Sequence, residues 1–457
     1  MGTDLSKDYL FSHDLFTELS EIAEKNSFID PQLHEKYNTK RGLRNSNGTG
    51  VLIGLTEIGD VRAYVIEEGE IVPREGKLYY RGVEIKDMVR GFQEEQRHGF
   101  DDICFLLLFG KLPNAVELNY FRELLRESRD LPAGFTEDMI LKAPSKNIMN
   151  KLAMSVLAAY SYDEDSEETN VANVLRQCIE LIARFPTMVA YGYQARTHFF
   201  GNESLNIHIP QKDLSPSENF LHMIRADNQY SKLEAEILDL ALVLHAEHGG
   251  GNNSAFTTHV ISSTDTDTYS VIAAAIGALK GTKHGGANIK VINMVEDIKK
   301  HVRNWDDEKE VEDYLVKILR KKAFDRKGLI YGIGHAIYTL SDPRALLLKE
   351  KARELSREKG MDEEYMLYST IEKIAPQVMA EELNIDRPIP VNVDFFSGFV
   401  YQMLNIPVEL FTPIFAVSRM AGWSAHRIEE IVSGGKIIRP AYKNVMPRSN
   451  YIPLNQR

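Results

Sequence analysis

The chain has 457 residues, of which 43% are hydrophobic and 26% are charged. This is the balance of an ordinary globular protein, which excludes collagen-like and low-complexity chains. Lys and Arg number 54 against 66 Asp and Glu, for a formal net charge of −12. No dense basic stripe occurs, which argues against nucleic acid as a partner, and no apolar run approaches the length of a membrane span.

The chain has two cysteines, Cys104 and Cys178. Two such cysteines form neither a disulfide framework nor a Cys-x-x-Cys zinc or redox motif. Free thiols are typical of a reducing compartment, so we expect a cytoplasmic protein.

The predicted elements are mostly helical. Short runs of Val, Ile and Tyr over 61–80, interrupted at 68–69 and 75–76, predict one small hairpin. Residues 105–109 are densely apolar and are expected to be buried. Over 231–245 the apolar residues recur at steps of three and four, which predicts a helix. The sequence therefore predicts a large all-α protein with a minor hairpin in its N-terminal third.

Helix punctuation near residue 342 is strong. Asp342 suits an N-cap, Pro343 the first helical position and Gly360 the position after the last turn. This spacing predicts a helix over 343–359 with Arg344 in its first turn, next to the glycine-rich loop that precedes it.

Three groups of histidines lie beside turns rich in glycine, at 245–254, 283–288 and 331–335. Such turns let a backbone approach a ligand closely. His245 and His248 could share a helix face as metal ligands. Neither H-E-x-x-H nor H-x-x-E-H is present, however, since Leu244 stands where the second pattern needs histidine. Histidines satisfied within the core are the other interpretation.

Two glycine-rich segments come close to nucleotide-binding motifs. The segment 332–334 begins like G-x-G-x-x-G, but Ile337 replaces the third glycine. The segment 277–283 is one residue short of a P-loop, and His284 follows in place of Ser or Thr. Both mismatches argue against phosphate loops of these two classes.

Asp394 and three arginines are further candidates. Asp394 lies in an apolar stretch before a helical pattern, as either a plain N-cap or a carboxylate base in an apolar pocket. Arg344, Arg419 and Arg439 each stand beside small or turn residues. A planar guanidinium binds a carboxylate through two bonds, so these arginines suit a dicarboxylate substrate.

Taken in order, these motifs resemble those of the citrate synthases of the Si type, over most of the chain. The segments that carry the resemblance are 76–82, 105–113, 184–187, 217–221, 248–254, 277–288, 334–344 and 392–394. The resemblance implies an all-α fold with a large domain, 1–283 plus 399–457, and an inserted small domain, 284–398. It also implies a homodimer.

The resemblance assigns roles residue by residue. His284 is similar to the histidine that bonds the thioester carbonyl of acetyl-CoA, Asp394 to the base that removes a methyl proton, and His335 to the histidine that polarises the ketone of oxaloacetate. The implied oxaloacetate ligands are His248, Asn252, Arg344, Arg419 and, across the dimer interface, Arg439. The backbone of Gly332, Ile333 and Gly334 resembles the loop that meets the CoA adenine.

The implied reaction joins acetyl-CoA to oxaloacetate and needs no metal or organic cofactor. The chain departs from the family pattern at Thr339, where a basic residue is frequent, at Ile333, where an aromatic residue is usual, and at 282–283. The same fold acting on propionyl-CoA, a catalytically silent homologue, and a metallohydrolase built on His245 and His248 are the alternatives.

Overall fold

The computed structural model describes residues 14–45, 48–67, 70–335, 337–385 and 387–457. The described residues up to Leu55 form one compact unit, and those from Thr56 onward form a second. The first unit contains α1 (Asp14–Ser27) and α2 (Gln32–Lys36), and neither helix has a buried residue. Every predicted site residue belongs to the second unit.

The second unit begins with a small antiparallel sheet of three strands in the order β1-β2-β3, namely β1 (Gly59–Glu67), β2 (Glu70–Tyr80) and β3 (Val83–Glu84). The hairpin predicted over 61–80 is confirmed. At the predicted interruption at 75–76, β2 continues as one strand but its pairing with β1 shifts register, since Arg62 pairs with Lys77 and Tyr64 with Pro73. The interruption at 68–69 lies outside the described residues.

The rest of the second unit is helical, as the all-α prediction requires. Its helices are α3 (Ile85–Glu94), α4 (Phe100–Phe109), α5 (Ala115–Glu127), α6 (Ile148–Ala159), α7 (Val171–Gly201), α8 (Pro216–Ile224), α9 (Lys232–His245), α10 (Asn253–Ser262), α11 (Thr268–Lys280), α12 (Ala287–His301), α13 (Glu308–Leu319), α14 (Pro343–Lys359), α15 (Asp362–Leu383), α16 (Val393–Met403) and α17 (Phe411–Val432). In the part of the chain that is described, no helix is long and apolar enough to cross a bilayer.

Local sequence explains where these helices begin and end. In α9, the Ser231 side chain accepts from the N–H of Glu234 and the Glu234 side chain accepts from that of Ser231, which confirms the helix predicted there. In α14, the Asp342 side chain caps the first turn and Gly360 follows with φ of +66°, as predicted. The expectation for 105–109 holds except at Phe109, which is 39% exposed at the end of α4.

The core surrounds α17, whose residues from Phe411 to Arg427 are all buried. This helix packs against α4, α7, α9, α10 and α11. It also carries Arg419, His426 and Arg427 into the core. Buried charged and polar groups are costly unless partners meet them, so these three side chains direct attention to the surroundings of α17.

Candidate active site

His248 lies in the turn that follows α9 and is 7% exposed. Its ring centroid is 5.3 Å from that of His335 and 5.5 Å from that of Tyr338. The His248 Nε2 atom is 3.3 Å from the Tyr338 hydroxyl. Burial, followed by the charge of Arg344, lowers the pKa of His248 well below its usual range. The imidazole is therefore neutral and has one N–H to donate.

The hairpin supports the loop over 335–341, which carries two of these groups. The Thr339 hydroxyl donates to the Ala63 carbonyl on β1 (2.5 Å), and the N–H of Gly76 on β2 donates to the Ser341 hydroxyl (3.3 Å). A Cβ on Gly76 would lie 2.0 Å from the Ser341 carbonyl oxygen. Only glycine therefore lets β2 approach the loop this closely.

The partners of the His335 Nδ1 atom indicate where the ring carries its proton. Its Nδ1 accepts from the backbone N–H groups of Ile337 (3.0 Å) and Tyr338 (3.1 Å). Because both partners are donors, Nδ1 carries no proton in this arrangement, and the neutral ring holds its proton on Nε2. His335 is therefore arranged to donate through Nε2.

Arg344 is buried with a carboxylate partner. Its Nε and Nη2 donate to the two oxygens of Asp342 at 3.0 and 2.8 Å. Burial lowers the pKa of Arg344, but the charge of Asp342, its hydrogen bonds and the neighbouring tyrosines together outweigh burial and raise the pKa. The guanidinium lies over the Tyr338 ring at 5.7 Å. Nη1 is the terminal nitrogen that Asp342 does not occupy.

Arg419 is fully buried and only partly satisfied. Its Nε donates to the His245 carbonyl (2.7 Å), and its guanidinium lies over the Phe415 ring at 4.8 Å. Nη1 and Nη2 are buried without a hydrogen-bond partner among the described residues. Burial lowers the pKa of Arg419 to about 10. Donors of this kind are costly to bury unless an anion meets them, so Arg419 marks an anion site.

Asp394 is the second residue of α16. The N-cap is Asn392, whose Oδ1 accepts from the Asp394 N–H at 3.0 Å. The interpretation of Asp394 as a plain N-cap is therefore wrong. Burial raises the pKa of Asp394 to about 6, against the opposing charge of Arg344. Such a carboxylate is ionised at neutral pH and is a stronger base than one in water.

The backbone of Gly332, Ile333 and Gly334 is bonded to residues 390–392. Ile333 forms an isolated antiparallel bridge with this segment, and the two glycines contribute hydrogen bonds of 2.9 and 2.7 Å at its ends. Their φ angles are +79° and +91°, which favour glycine. The bridge fixes the loop that carries His335 against the start of α16.

His284 lies in the turn before α12, three residues ahead of the helix. Its Nε2 is 3.1 Å from the Ser254 hydroxyl, which in turn donates to the Asn252 side-chain oxygen at 3.0 Å. Burial, followed by the charge of Arg419, lowers the pKa of His284 to about 4. His284 is therefore neutral, and Ser254 occupies one of its two nitrogens.

These groups form one continuous cluster. Phe415 links two of them, since its ring is 6.3 Å from His284 and carries the guanidinium of Arg419. The charge of Arg344 acts on both His248 and Asp394. The structure thus brings together every predicted site residue except Arg439.

Arg439 lies outside the cluster in this chain. It is exposed in the irregular segment that follows α17. Its predicted contribution across a dimer interface stays a prediction.

The sequence interpretation missed two residues. Tyr338 contacts His248 and His335, and Ser254 contacts His284. Each stands within a motif that was already singled out, three residues after His335 and two after Asn252. Position alone does not tell which side chain of a motif turns inward.

His245 and His248, the pair considered as alternative metal ligands, have separate partners. The Nδ1 atom of His245 is 2.7 Å from the Ala241 carbonyl within α9, and burial lowers the pKa of His245 to about 3. His248 faces Tyr338 instead. A metallohydrolase site on this pair therefore has no geometric support from the described residues.

A cavity of about 710 Å³ lies elsewhere in the second unit. Charged residues of both signs line it, among them Arg97, Asp101, Arg129 and Lys232. None of the predicted site residues lines this cavity, so we do not assign the reaction to it.

The cluster has two chemical capacities. Two buried guanidinium groups and two neighbouring histidines can hold a small dianion and polarise a carbonyl in it. A carboxylate of raised pKa can remove a proton next to a second carbonyl, and a neutral histidine can stabilise the oxygen charge that develops.

Comparisons with known proteins agree with this arrangement. A family model described as the citrate synthase C-terminal domain matches residues 48–441. The citrate synthase of Synechocystis sp. is 34% identical over 84% of this chain and 89% of its own length. The 2-methylcitrate synthase of Shewanella oneidensis is 32% identical over 83% of this chain and 92% of its own length.

Solved structures show the same fold. The citrate synthase of Thermotoga maritima superposes with a TM-score of 0.71 at 31% identity, covering 92% of this chain and 99% of its own. That of Thermoplasma acidophilum, solved with carboxymethyl coenzyme A and oxaloacetate, gives 0.74 at 24% identity over 92% and 99%. On this sequence match and this fold, the chain belongs to the citrate synthase family, an all-α family of transferases.

Proposed function

We propose that this enzyme condenses acetyl-CoA with oxaloacetate and water to give citrate and CoA. The observation that carries the proposal is the buried pair Arg344 and Arg419 beside His248 and His335. Both terminal nitrogens of Arg419 are without a hydrogen-bond partner among the described residues. A dicarboxylate that carries a ketone fits this set, because the arginines bind carboxylates and the histidines face the carbonyl.

Oxaloacetate is held from several sides in this proposal. Arg419 contributes Nη1 and Nη2, and Arg344 contributes Nη1. His248 donates one hydrogen bond, and Asn252 lies at the edge of the substrate. Arg439 of a second copy completes the site in a homodimer.

Proton removal is the work of Asp394 and His284. Asp394 takes a proton from the acetyl methyl group, and its raised pKa makes it a better match for this weak carbon acid. Neutral His284 donates to the thioester oxygen as negative charge develops there. The single proton of the Ser254 hydroxyl points to Asn252 in this structure; in the proposed reaction it turns to His284 Nε2, so that the ring proton lies on Nδ1 and is donated to the thioester oxygen.

Carbon–carbon bond formation follows. The methylene carbon of the enol attacks the ketone carbon of oxaloacetate, and His335 supplies a proton from Nε2 to the oxygen that becomes the tertiary alcohol. Water then cleaves the citryl thioester, which releases CoA and citrate. None of these steps draws on a metal or an organic cofactor.

The proposed domain division explains how water is kept out. The small domain, 284–398, carries His284, His335, Arg344 and Asp394, while the large domain carries His248, Asn252 and Arg419. Oxaloacetate bound between them would close the small domain before acetyl-CoA reacts, which suppresses wasteful hydrolysis. The 332–334 loop would then meet the CoA adenine. The Thr339 hydroxyl is hydrogen-bonded to the hairpin. We therefore assign Thr339 no contact with the phosphates of CoA.

The two buried free cysteines, Cys104 and Cys178, support a reducing compartment. We therefore place the enzyme in the cytoplasm.

A second candidate uses propionyl-CoA and gives 2-methylcitrate. Two relatives with that name support it, at 32% and 33% identity. One extra methyl group changes specificity by only about 1–3 kcal/mol in a pocket, and the same catalytic residues would serve.

Thiol release from acetyl-CoA and from propionyl-CoA, each with and without oxaloacetate, tests the proposal. We expect release that depends on oxaloacetate and a kcat/KM at least tenfold higher for acetyl-CoA. A preference for propionyl-CoA would make the enzyme a 2-methylcitrate synthase. No release from either would contradict the assigned chemistry and favour a silent homologue.

A further inference from the structure

A second polar cluster lies beside the active site, where α10 packs against α17. It contains His259 of α10 and His426, Glu429 and Glu430 of α17, with Glu247 from the turn after α9. His426 is fully buried, and His259 and Glu429 have 13% and 15% of their side-chain surface exposed. The proposed condensation uses none of these side chains.

Each histidine of this cluster has one ring nitrogen that faces a carboxylate, here called its outer nitrogen. His259 Nδ1 is 2.7 Å from Glu430 Oε2, and His426 Nε2 is 3.0 Å from Glu247 Oε1. A carboxylate accepts hydrogen bonds, so both outer nitrogens carry protons. Pairs of this kind commonly fix the orientation of histidines that bind metals, and they make the ring a better ligand.

The other ring nitrogen of each histidine, here called its inner nitrogen, faces that of the other histidine. His259 Nε2 and His426 Nδ1 are 3.1 Å apart, and in neutral rings each would present a lone pair to the other. A cation must lie there, either an extra proton or a metal ion. Glu429 Oε2 is 3.8 Å from His426 Nδ1 and is buried without a hydrogen-bond partner among the described residues.

We propose that His259 Nε2, His426 Nδ1 and a carboxylate oxygen of Glu429 bind a divalent cation of the zinc class. The three ligand atoms lie within 4.8 Å of one another. Two nitrogens bound to tetrahedral zinc at about 2.0–2.1 Å would be about 3.3 Å apart, close to the separation seen here. Two imidazoles and one carboxylate form a known zinc ligand set.

Space for a fourth ligand is present. Gly250 faces the cluster without a side chain, and a Cβ there would lie 3.6 Å from His259 Nε2 and 3.5 Å from a carbon of His426. A water molecule on the metal is the ligand that we expect on this side.

The role of the ion is structural. It would link α10, which begins beside Asn252 and contains Ser254, to α17, which carries Arg419. The ion would thereby join the two helices and stabilise the fold without contacting the substrate or the reacting atoms.

The test uses the full chain, stripped with a chelator and dialysed. Zn²⁺ alone is titrated in by calorimetry, and the melting temperature is recorded with and without it. We expect one equivalent to bind tightly and to raise the melting temperature. Co²⁺ in its place should give the visible absorption of a four-coordinate site.

Three variants make the result specific. His259→Gln should abolish the tight equivalent, and Glu430→Gln should weaken it by about 10–100-fold, because it removes only the carboxylate behind the ligand. His198→Gln is the matched control, because His198 is a half-buried helical histidine elsewhere in the chain. It should leave binding unchanged. Circular dichroism of each metal-free variant checks that it is folded.

Two results would overturn the proposal. Tight binding that survives in His259→Gln would place the ion elsewhere. Absence of a tight equivalent in the parent chain would mean that a proton occupies the space between the two histidines.

Discussion

Two buried polar clusters share α17 and differ in how their groups are satisfied. At Arg419, neither terminal nitrogen of the guanidinium has a hydrogen-bond partner in the described part of the chain. At His426, seven residues and about two turns further along, one nitrogen meets the carboxylate of Glu247 and the other meets His259. The donors of the first cluster are therefore available to a bound anion. The ring nitrogens of the second cluster are directed at each other.

This difference distinguishes a substrate-binding site from a polar cluster that stabilises the fold. A buried donor without a partner costs free energy in the empty protein, and a substrate that supplies the acceptor recovers it. Glu247 lies between the two clusters, because it bonds His426 and its charge also acts on Arg419. Substitutions in the two clusters can therefore be compared, because both clusters have Glu247 as a neighbour.

The largest effect is expected from Asp394→Asn. Loss of a general base costs about 10²–10⁴-fold, so we expect kcat to fall by about 10³-fold while oxaloacetate still binds. Burial of a carboxylate is also unfavourable, so the melting temperature should stay equal or rise. Thiol release and thermal melting measure the two effects. Turnover within tenfold of the parent enzyme would show that the base is another residue.

Gly76→Ala tests the support that the hairpin gives to the substrate loop. The new Cβ would meet the Ser341 carbonyl, so we expect a loss of about 1–3 kcal/mol in the free energy of unfolding and a raised KM for oxaloacetate. Gly91→Ala is the control, since its Cβ meets nothing within 4 Å inside α3. It should stabilise the protein by about 0.5–1 kcal/mol. Equal effects of the two changes in urea unfolding would contradict the close contact.

The pH dependence follows from the raised pKa of Asp394. Protonation near pH 6 removes the base, so kcat should fall about tenfold per pH unit below that value. The native state also binds this proton more tightly than the unfolded chain, so the contribution of Asp394 to stability falls as pH rises from about 4 to 6. A rate profile that is flat down to pH 5 would argue against Asp394 as the base.

The smallest effect is expected from Ser254→Ala. It removes one hydrogen bond that orients His284, worth about 1 kcal/mol, so kcat should fall about fivefold with little change in the KM for oxaloacetate. Thr257→Ala, on the same helix, removes a hydroxyl that donates to the exposed backbone carbonyl of Asn253. Steady-state rates of the two variants should differ, and equal rates would remove Ser254 from the positioning of His284.

Much of the fold could be predicted from local chemistry. The helix between Asp342 and Gly360 was predictable because a cap, a proline and a glycine each act within one turn. The β2 strand was harder, because Gly76 is typical of a turn and is here required by the Ser341 loop 265 residues further along. A contact between distant residues leaves no trace in local propensity.

The site divides in the same way. The residues that carry the chemistry, such as His248 and Arg419, stand in recognisable motifs. Asn392, and not Asp394, caps α16, and Tyr338 contacts His248. Neither could be predicted from sequence position, because packing determines the direction of a side chain. The pairing of His259 with His426 could not be foreseen, since the two residues lie 167 positions apart.

Calorimetric binding of oxaloacetate to three proteins tests the contrast between the clusters most directly. Arg419→Lys keeps the charge but loses the two-pronged contact, so its affinity should fall roughly 30-fold, or about 2 kcal/mol. His259→Gln alters the neighbouring cluster and should bind within about threefold of the parent chain. Unchanged affinity in Arg419→Lys, or an equal loss in His259→Gln, would contradict the assignment of the unpaired guanidinium to the substrate.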